Sequence, residues 1–177
     1  MDLTFTPKLS EEPRHHPDCC VAVSRPFLVS LLDLLPKSPA LVLSIGSGSG
    51  YLEASLLRLV HHDSLNLMGV EVSPRVNKYL PEQNFVCVEG TWDMYANAGS
   101  AQVLLFVYPR EPRLMARYLQ QCSQASCQTV IWIGPSLDWP DYEAVLQSSV
   151  FTSIACPPSP GSASYEMLYV ATKITSV

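Results

Sequence analysis

The sequence predicts an α/β domain: a doubly wound, mostly parallel seven-stranded sheet with helices on both faces and a C-terminal antiparallel β-hairpin. Three observations carry this. Short apolar runs of strand length alternate with stretches whose apolar residues recur at helical spacing. Runs such as QVLLFV at 102–107 are apolar beyond their first residue, as expected of strands buried on both sides. The last two runs are separated only by PPSPGSAS, too short for a crossover helix, so they pair antiparallel.

Taken in order, residues 25–35 form a helix, with Phe27, Leu28, Leu31, Leu32 and Leu35 on one stripe. LVLSI at 41–45 is the first strand and ends at glycines. Leu52, Leu56, Leu59 and Val60 repeat at helical spacing over about three turns. NLMGVE at 66–71 is the second strand. Ser73 then caps a short helix that has Pro74 at its first position. NFVCVE at 84–89 and QVLLFV at 102–107 are the third and fourth strands. Leu114, Met115, Tyr118 and Leu119 mark a helix, and QTVIWI at 128–133 is a fifth strand stopped by Gly134-Pro135. A capping Asp138, an early Pro140 and Asp141 in the first turn read as a helix start, with Tyr142, Val145 and Leu146 as its core stripe. VFTSIAC at 150–156 and YEMLYVAT at 165–172 form the closing hairpin. Their connection, 157–164, reads as an exposed loop at the edge far from the glycine motif described below.

A chain of 177 residues is one domain at about 100–200 residues per domain. Residues 25–177 supply it. Residues 1–24, with Pro7, Pro13 and Pro17 and little periodicity, read as an N-terminal arm or lid. Hydrophobic residues are 47% and charged residues 15%, which excludes a disordered chain, and the 15 prolines follow no repeat. No run approaches the ~20 apolar residues of a membrane span, and the first residues lack a charged-then-apolar signal pattern. Six cysteines without a CxxC pair read as reduced thiols. The expectation is a cytoplasmic protein, or a nuclear one, without a membrane. A net charge of −5, from 11 Lys+Arg against 16 Asp+Glu, argues against a nucleic-acid partner, because phosphate neutralisation supplies most of that affinity.

The sharpest motif is Ser44-Ile45-Gly46-Ser47-Gly48-Ser49-Gly50, between the first strand and the following helix. Glycines let the chain turn tightly and let a ligand approach the backbone, and the helix start behind them offers free N–H groups. Glu71, about 20 residues on and closing the second strand, can accept from ribose hydroxyls. The dinucleotide fingerprint GxGxxG requires a glycine where Tyr51 stands, so a nicotinamide cofactor is disfavoured.

GxGxG spacing with an acid closing strand two resembles the class I S-adenosylmethionine-dependent methyltransferases, of which this would be a minimal-length member. The likeness covers about residues 25–172 and includes the order of elements. It implies a Rossmann-like fold with the seventh strand antiparallel between the fifth and sixth. The implied cofactor is S-adenosyl-L-methionine, and the implied activity is methyl transfer. Gly46, Gly48 and Gly50, with Ser44 and Ser47 of the same loop, would lie under the methionine portion. Glu71 would hold the ribose and Val72 would flank the adenine. Thr91 or Asp93 would meet the adenine amino group, and Trp92 would pack on the ring. Tyr108 and Arg110, ending the fourth strand, would lie beside the methyl group.

Two departures stand out. The family has Asp or Glu where Ser44 stands, helping to anchor the cofactor's amino group. It also often has Asp or Asn before the proline that ends strand four, where this chain has Tyr108. The alternative reading is therefore a catalytically silent binding or scaffold protein on the same fold.

His15, His16, Asp18, Cys19 and Cys20 form a metal-like string, but adjacent ligands rarely close one tetrahedral site, so no metal is assigned. His16 is instead the arm's candidate general base. His61 and His62, at a helix end, read as structural. Arg110, Arg113 and Arg117 are spaced to share one helix face, with Arg110 nearest the strand end and able to reach an acceptor's carboxylate or phosphate. The loops at the strand ends are short. A small-molecule or protein acceptor must therefore be recognised by the arm, by Tyr108 and Arg110, or by another subunit, either a second copy or a partner, and no inserted substrate domain is expected.

Overall fold

The structure is a computed structural model that describes residues 9–60 and 64–173. His61 and His62 lie outside the described residues, as do residues 1–8 of the arm. In chain order the elements are α1 (Arg25–Asp33), β1 (Leu41–Ile45), α2 (Tyr51–Leu59), β2 (Asn66–Glu71), β3 (Phe85–Cys87), β4 (Val103–Val107), α3 (Pro112–Gln121), β5 (Thr129–Pro135), α4 (Trp139–Gln147), β6 (Ser153–Ala155) and β7 (Glu166–Thr172). Single 3₁₀ turns occupy Glu82–Asn84 and Ala98–Ser100.

The seven strands lie in the order β3-β2-β1-β4-β5-β7-β6. The pairs β1–β2, β2–β3, β1–β4 and β4–β5 are parallel, and β7 runs antiparallel to both β5 and β6. The seventh strand thus lies antiparallel between the fifth and sixth, as the family resemblance implied. Strand order reverses at β1, with β2 on one side and β4 on the other. A crevice therefore opens beyond the carboxyl ends of these strands, where the glycine loop leaves β1.

Alternation along the strands sorts the core into two layers. Leu104 and Phe106 of β4 and Val130 and Trp132 of β5 face Met115, Tyr118 and Leu119 of α3 and Trp139, Tyr142 and Leu146 of α4. Their neighbours Val103, Leu105, Ile131 and Ile133 face Phe27, Leu28 and Leu31 of α1 and Leu52 and Leu56 of α2. Both faces are thus covered by helices. Ser24 caps α1, its hydroxyl accepting from the Phe27 N–H at 3.2 Å.

Several local expectations are corrected. No α-helix follows β2. The Ser73 hydroxyl accepts from the Arg75 N–H at 3.3 Å in a local turn. The N–H groups of Lys78 and Tyr79 donate to the Ser49 carbonyl, at 2.9 and 3.1 Å, rather than to carbonyls one helical turn back. Asn77 brackets Leu80 with two bonds and Pro81 follows, which ends any helical course. The β3–β4 connection likewise carries only its 3₁₀ turn. Strand β5 is not stopped at Gly134. It continues through Pro135, which pairs with Glu166, because a proline is tolerated at a strand's last residue and Gly134 leaves room for the Trp132 ring. Asp138 is helical in its own backbone and makes no side-chain cap, so α4 starts on its early proline and Asp141.

The 157–164 connection is not remote either. Because β7 runs antiparallel, its first residues return to the carboxyl ends of the parallel strands. There the Gly161 carbonyl accepts the Ser24 hydroxyl at 2.7 Å, tying the loop to the arm.

Candidate functional site

The loop between β1 and α2 turns on three glycines in the left-handed region: Gly46 (φ 74°), Gly48 (φ 57°) and Gly50 (φ 76°). An L side chain there costs roughly 1–2 kcal/mol per residue. A Cβ added at Gly46 or Gly48 would meet nothing within 4 Å, so these two glycines face open space. At Gly50 a Cβ would come within 2.8 Å of Leu80 Cγ, so that glycine serves close packing against the turn after β2. The loop hangs from β2: the N–H groups of Gly46 and Ser47 donate to the Val70 carbonyl at 2.9 and 3.2 Å.

Glu71 folds back onto this loop. Its Oε1 accepts the Gly48 N–H at 3.0 Å and its Oε2 accepts the Val72 N–H at 2.9 Å. Each carboxylate oxygen retains a second acceptor site. Val72 is 45% exposed beside it. The segment after β3 joins the same edge, since the Val88 N–H donates to the Glu71 carbonyl at 2.9 Å. Thr91 and Trp92 lie in the turn beyond, closed by the Asp93 N–H on the Gly90 carbonyl. Trp92 is 45% exposed and its carbonyl accepts from Arg117 of α3. No hydrogen bond among the described residues ties Thr91 or Trp92 to the glycine loop.

Beneath the loop, Ser44 and Ser47 are not presented to the open face. Ser44 is buried and donates to Glu53 Oε1 at 2.6 Å. Ser47 Oγ is buried with no hydrogen-bond partner among the described residues and packs where only Gly69 leaves space for it. Glu53, in the first turn of α2, is 2% exposed, and its Oε2 likewise has no partner. Burial, reinforced by the neighbouring Glu71 carboxylate, pushes the Glu53 carboxyl up to about 7. Sequence reasoning missed Glu53. Its signal was a charged residue on a helix whose first six residues are all buried.

The arm crosses the top of the site. The Asp18 carbonyl accepts the Ser49 hydroxyl, while the Asp18 carboxylate takes Lys78 and the Tyr79 hydroxyl, the latter at 2.8 Å. The Lys78 bond, then the Tyr79 bond, hold Asp18 below its ordinary range. His16 stacks on Tyr51 with ring centroids 4.0 Å apart, and its Nδ1 accepts the Asp18 N–H. His15 reaches Tyr165 on the opposite side. The metal-like string therefore points in different directions, and among the described residues no group of three or more His, Cys, Asp or Glu could hold a metal ion.

At the end of β4, Tyr108 has φ 49°, the one non-glycine residue with positive φ among the described residues. Its hydroxyl donates to Glu166 Oε1 at 2.6 Å, and the same oxygen accepts the Ala22 N–H of the arm at 3.0 Å. Burial, then the Glu166 bond, push the Tyr108 phenol well above its ordinary value. A cleft of about 450 Å³ opens beside it, lined by Cys20, Tyr108, Pro109, Arg110, Pro112, Asp138, Asp141 and Tyr142. Arg110 precedes α3 instead of sharing a helix face with Arg113 and Arg117. The arm's contribution to this cleft is Cys20, whereas His16 sits over α2. Glu166 was also missed, although period-two alternation puts it on the buried face with Leu168.

No protein-family profile matches the chain, and no curated protein sequence does either. Solved structures do resemble it. Precorrin-6y C5,15-methyltransferase from Geobacter metallireducens has a TM-score of 0.62 at 10% identity, over 94% of this chain and 100% of that one. The chain has the fold of the S-adenosylmethionine-dependent methyltransferases. The Mtq2–Trm112 complex of E. cuniculi, responsible for methylation of the termination factor eRF1, superposes with TM-score 0.58 at 12% identity, over 93% and 99% of the two chains. Human N-acetylserotonin methyltransferase in complex with S-adenosylmethionine gives 0.56 at 16% identity, over 85% of this chain and 51% of that one. The chain thus spans about half the length of that protein. No described helix is long and apolar enough to cross a membrane.

Proposed function

We propose that this chain binds S-adenosyl-L-methionine on the Gly46–Gly50 loop and transfers its methyl group to an acceptor in the cleft beside Tyr108. One observation carries the reading: Glu71, at the switch point of a methyltransferase-order sheet, reaches the Gly48 N–H beside two glycines whose Cβ positions are open. The residues present fit the cofactor. Gly46 and Gly48 offer backbone at close approach, and the buried Ser47 Oγ and Glu53 Oε2 are polar atoms without partners among the described residues. Glu71 keeps acceptor capacity for a pair of ribose hydroxyls. Val72 and Trp92, each 45% exposed, are the apolar surfaces available to an adenine.

S-adenosylmethionine, when bound, supplies a sulfonium methyl that passes directly to an N, O, S or C nucleophile. The protein's work is then mainly proximity and orientation. Tyr108 is locked by Glu166 and marks the inner wall of the cleft, while Arg110, Asp138 and Asp141 bring charge of both signs to its rim. The arm, held at Asp18 by Ser49, Lys78 and Tyr79, is the segment that would shield this site from water. A small molecule or a protein side chain is the proposed acceptor, and the Trm112-bound neighbour motivates testing for a partner subunit as well.

A second reading, a binding or scaffold protein without turnover, is favoured by the β4 end, where Tyr108 replaces the Asp or Asn that the family often carries. Incubation of the protein with methyl-labelled S-adenosylmethionine and a cell lysate tests the two. Label appearing in a lysate component, and absent with Gly48→Val, is the outcome expected for a methyltransferase. Cofactor binding without any label transfer is the outcome that favours the scaffold.

A further inference from the structure

Among the described residues, Glu53 is the one buried carboxylate beside the glycine loop, and its hydrogen bonding is incomplete. It is 2% exposed, it lies in the first turn of a helix whose first six residues are all buried, and one of its oxygens is hydrogen-bonded, to Ser44 at 2.6 Å. The other has no partner among the described residues. A buried ionised oxygen without a partner is costly, and the cost is relieved by neutralising it or by giving it a cation. Ser55, two residues farther along the same helix, shows what a satisfied polar group looks like here: its hydroxyl donates to the Tyr51 carbonyl at 2.7 Å.

The surroundings say what kind of ligand would satisfy Glu53. It lies between Ser44 at the end of β1, the Glu71 carboxylate, and the Cys19 thiol of the arm, which burial and then Glu53 itself push up to about 12. All three neighbours are neutral or negative, and among the described residues no cation pairs with it. A cationic group is what this position lacks.

We infer that Glu53, held by Ser44, is the anion that receives the ammonium of the cofactor's amino-acid portion, so that a helix residue takes over the task of the strand acid that Ser44 replaces. This rests on the proposed S-adenosylmethionine site. It turns the Ser44 departure from a defect into half of a paired substitution. The carboxyl has moved from β1 to the first turn of α2, and the serine that vacated the space now orients it. It also favours, at this loop, ligands that carry a positive charge at that end.

Titration calorimetry with two probes tests this. S-adenosylhomocysteine carries the ammonium, and 5′-deoxy-5′-methylthioadenosine shares the nucleoside and sulfur but lacks the whole amino-acid portion. Glu53→Gln keeps the size of the side chain and its acceptor for Ser44. The expected result is a loss of tenfold or more in S-adenosylhomocysteine affinity, with methylthioadenosine affinity unchanged within twofold. Equal loss of both probes marks Glu53 as merely structural and overturns the inference, as does unchanged binding of both. If wild-type protein binds neither probe, the cofactor reading itself fails and takes this inference with it. A wild type that binds both, with an unaffected Glu53→Gln, leaves the cofactor reading standing and removes only the role of Glu53.

Discussion

Glu166, the first residue of β7, accepts both the Tyr108 hydroxyl at 2.6 Å and the Ala22 N–H at 3.0 Å through one carboxylate oxygen. Its second oxygen meets the Ala163 N–H at 3.4 Å. One buried side chain thus joins the end of β4, the arm and the hairpin connection at the mouth of the cleft. The strained backbone of Tyr108 is held by this bond and by its N–H on the Ile133 carbonyl at 2.7 Å.

Removing that junction should loosen three segments together. Glu166→Ala leaves the buried Ala22 N–H and the Tyr108 hydroxyl without their acceptor, at about 1–3 kcal/mol each. Tyr108→Phe removes one donor only and should cost less. Denaturant unfolding of the two single variants and the double variant should give non-additive losses, because the residues share a bond. Strict additivity would show that the bond does not form.

The three motif glycines should differ in a way that their shared spacing hides. Gly46→Ala and Gly48→Ala impose only the left-handed backbone penalty, roughly 1–2 kcal/mol. Gly50→Ala adds a clash with Leu80 Cγ at 2.8 Å and Asn77 Oδ1 at 3.1 Å, so it should be the least stable of the three by thermal melting. A ranking with Gly50→Ala most stable would contradict the packing described here.

Stability should fall as pH rises from about 4.5 to about 7 on account of Glu53. In that window the folded chain keeps a proton that the unfolded chain has released, so folding is disfavoured increasingly up to the folded value and evenly above it. The full effect is on the order of 3 kcal/mol. Glu53→Gln does not titrate, so its melting temperature relative to wild type should be higher at pH 8 than at pH 5. A constant difference across that range would contradict the burial of an ionisable carboxyl there.

Asp18 titrates with the opposite sign. Lys78 and Tyr79 hold its carboxyl low, so the arm's contact is intact above the ordinary Asp range and is lost as pH falls through a value below it. At neutral pH, Asp18→Asn should speed hydrogen exchange and proteolysis of residues 14–24 while leaving the sheet protected. Unchanged protection of that segment would mean the arm is held by its other contacts, including Arg14 on Val23 and Ser24 on Gly161.

The sheet was legible because its code is local. Nearly continuous apolar runs marked β4 and β5, and the eight-residue connection forced the β6–β7 hairpin. Glu71 and the glycines were legible by spacing. The segment from Ser73 to Leu80 was not, because the Lys78 and Tyr79 amides are spent on the Ser49 carbonyl, a contact set by the fold rather than by nearby sequence. Glu53 and Glu166 stayed hidden for a related reason. Each is an ordinary surface residue by type, and the packed fold is what brings Glu53 to Ser44 and Glu166 to Ala22 of the arm. His16 shows the converse: suggestive by type, it is used in stacking against Tyr51.

The central claim is that the Gly46–Gly50 loop with Glu71 holds S-adenosylmethionine, and titration of the full chain with S-adenosylhomocysteine tests it most directly. The account predicts a dissociation constant in the micromolar range (about −8 kcal/mol), with binding lost in Gly48→Val and in Glu71→Ala while both variants keep a wild-type circular-dichroism spectrum. Absence of binding to the wild-type protein at millimolar ligand would contradict it.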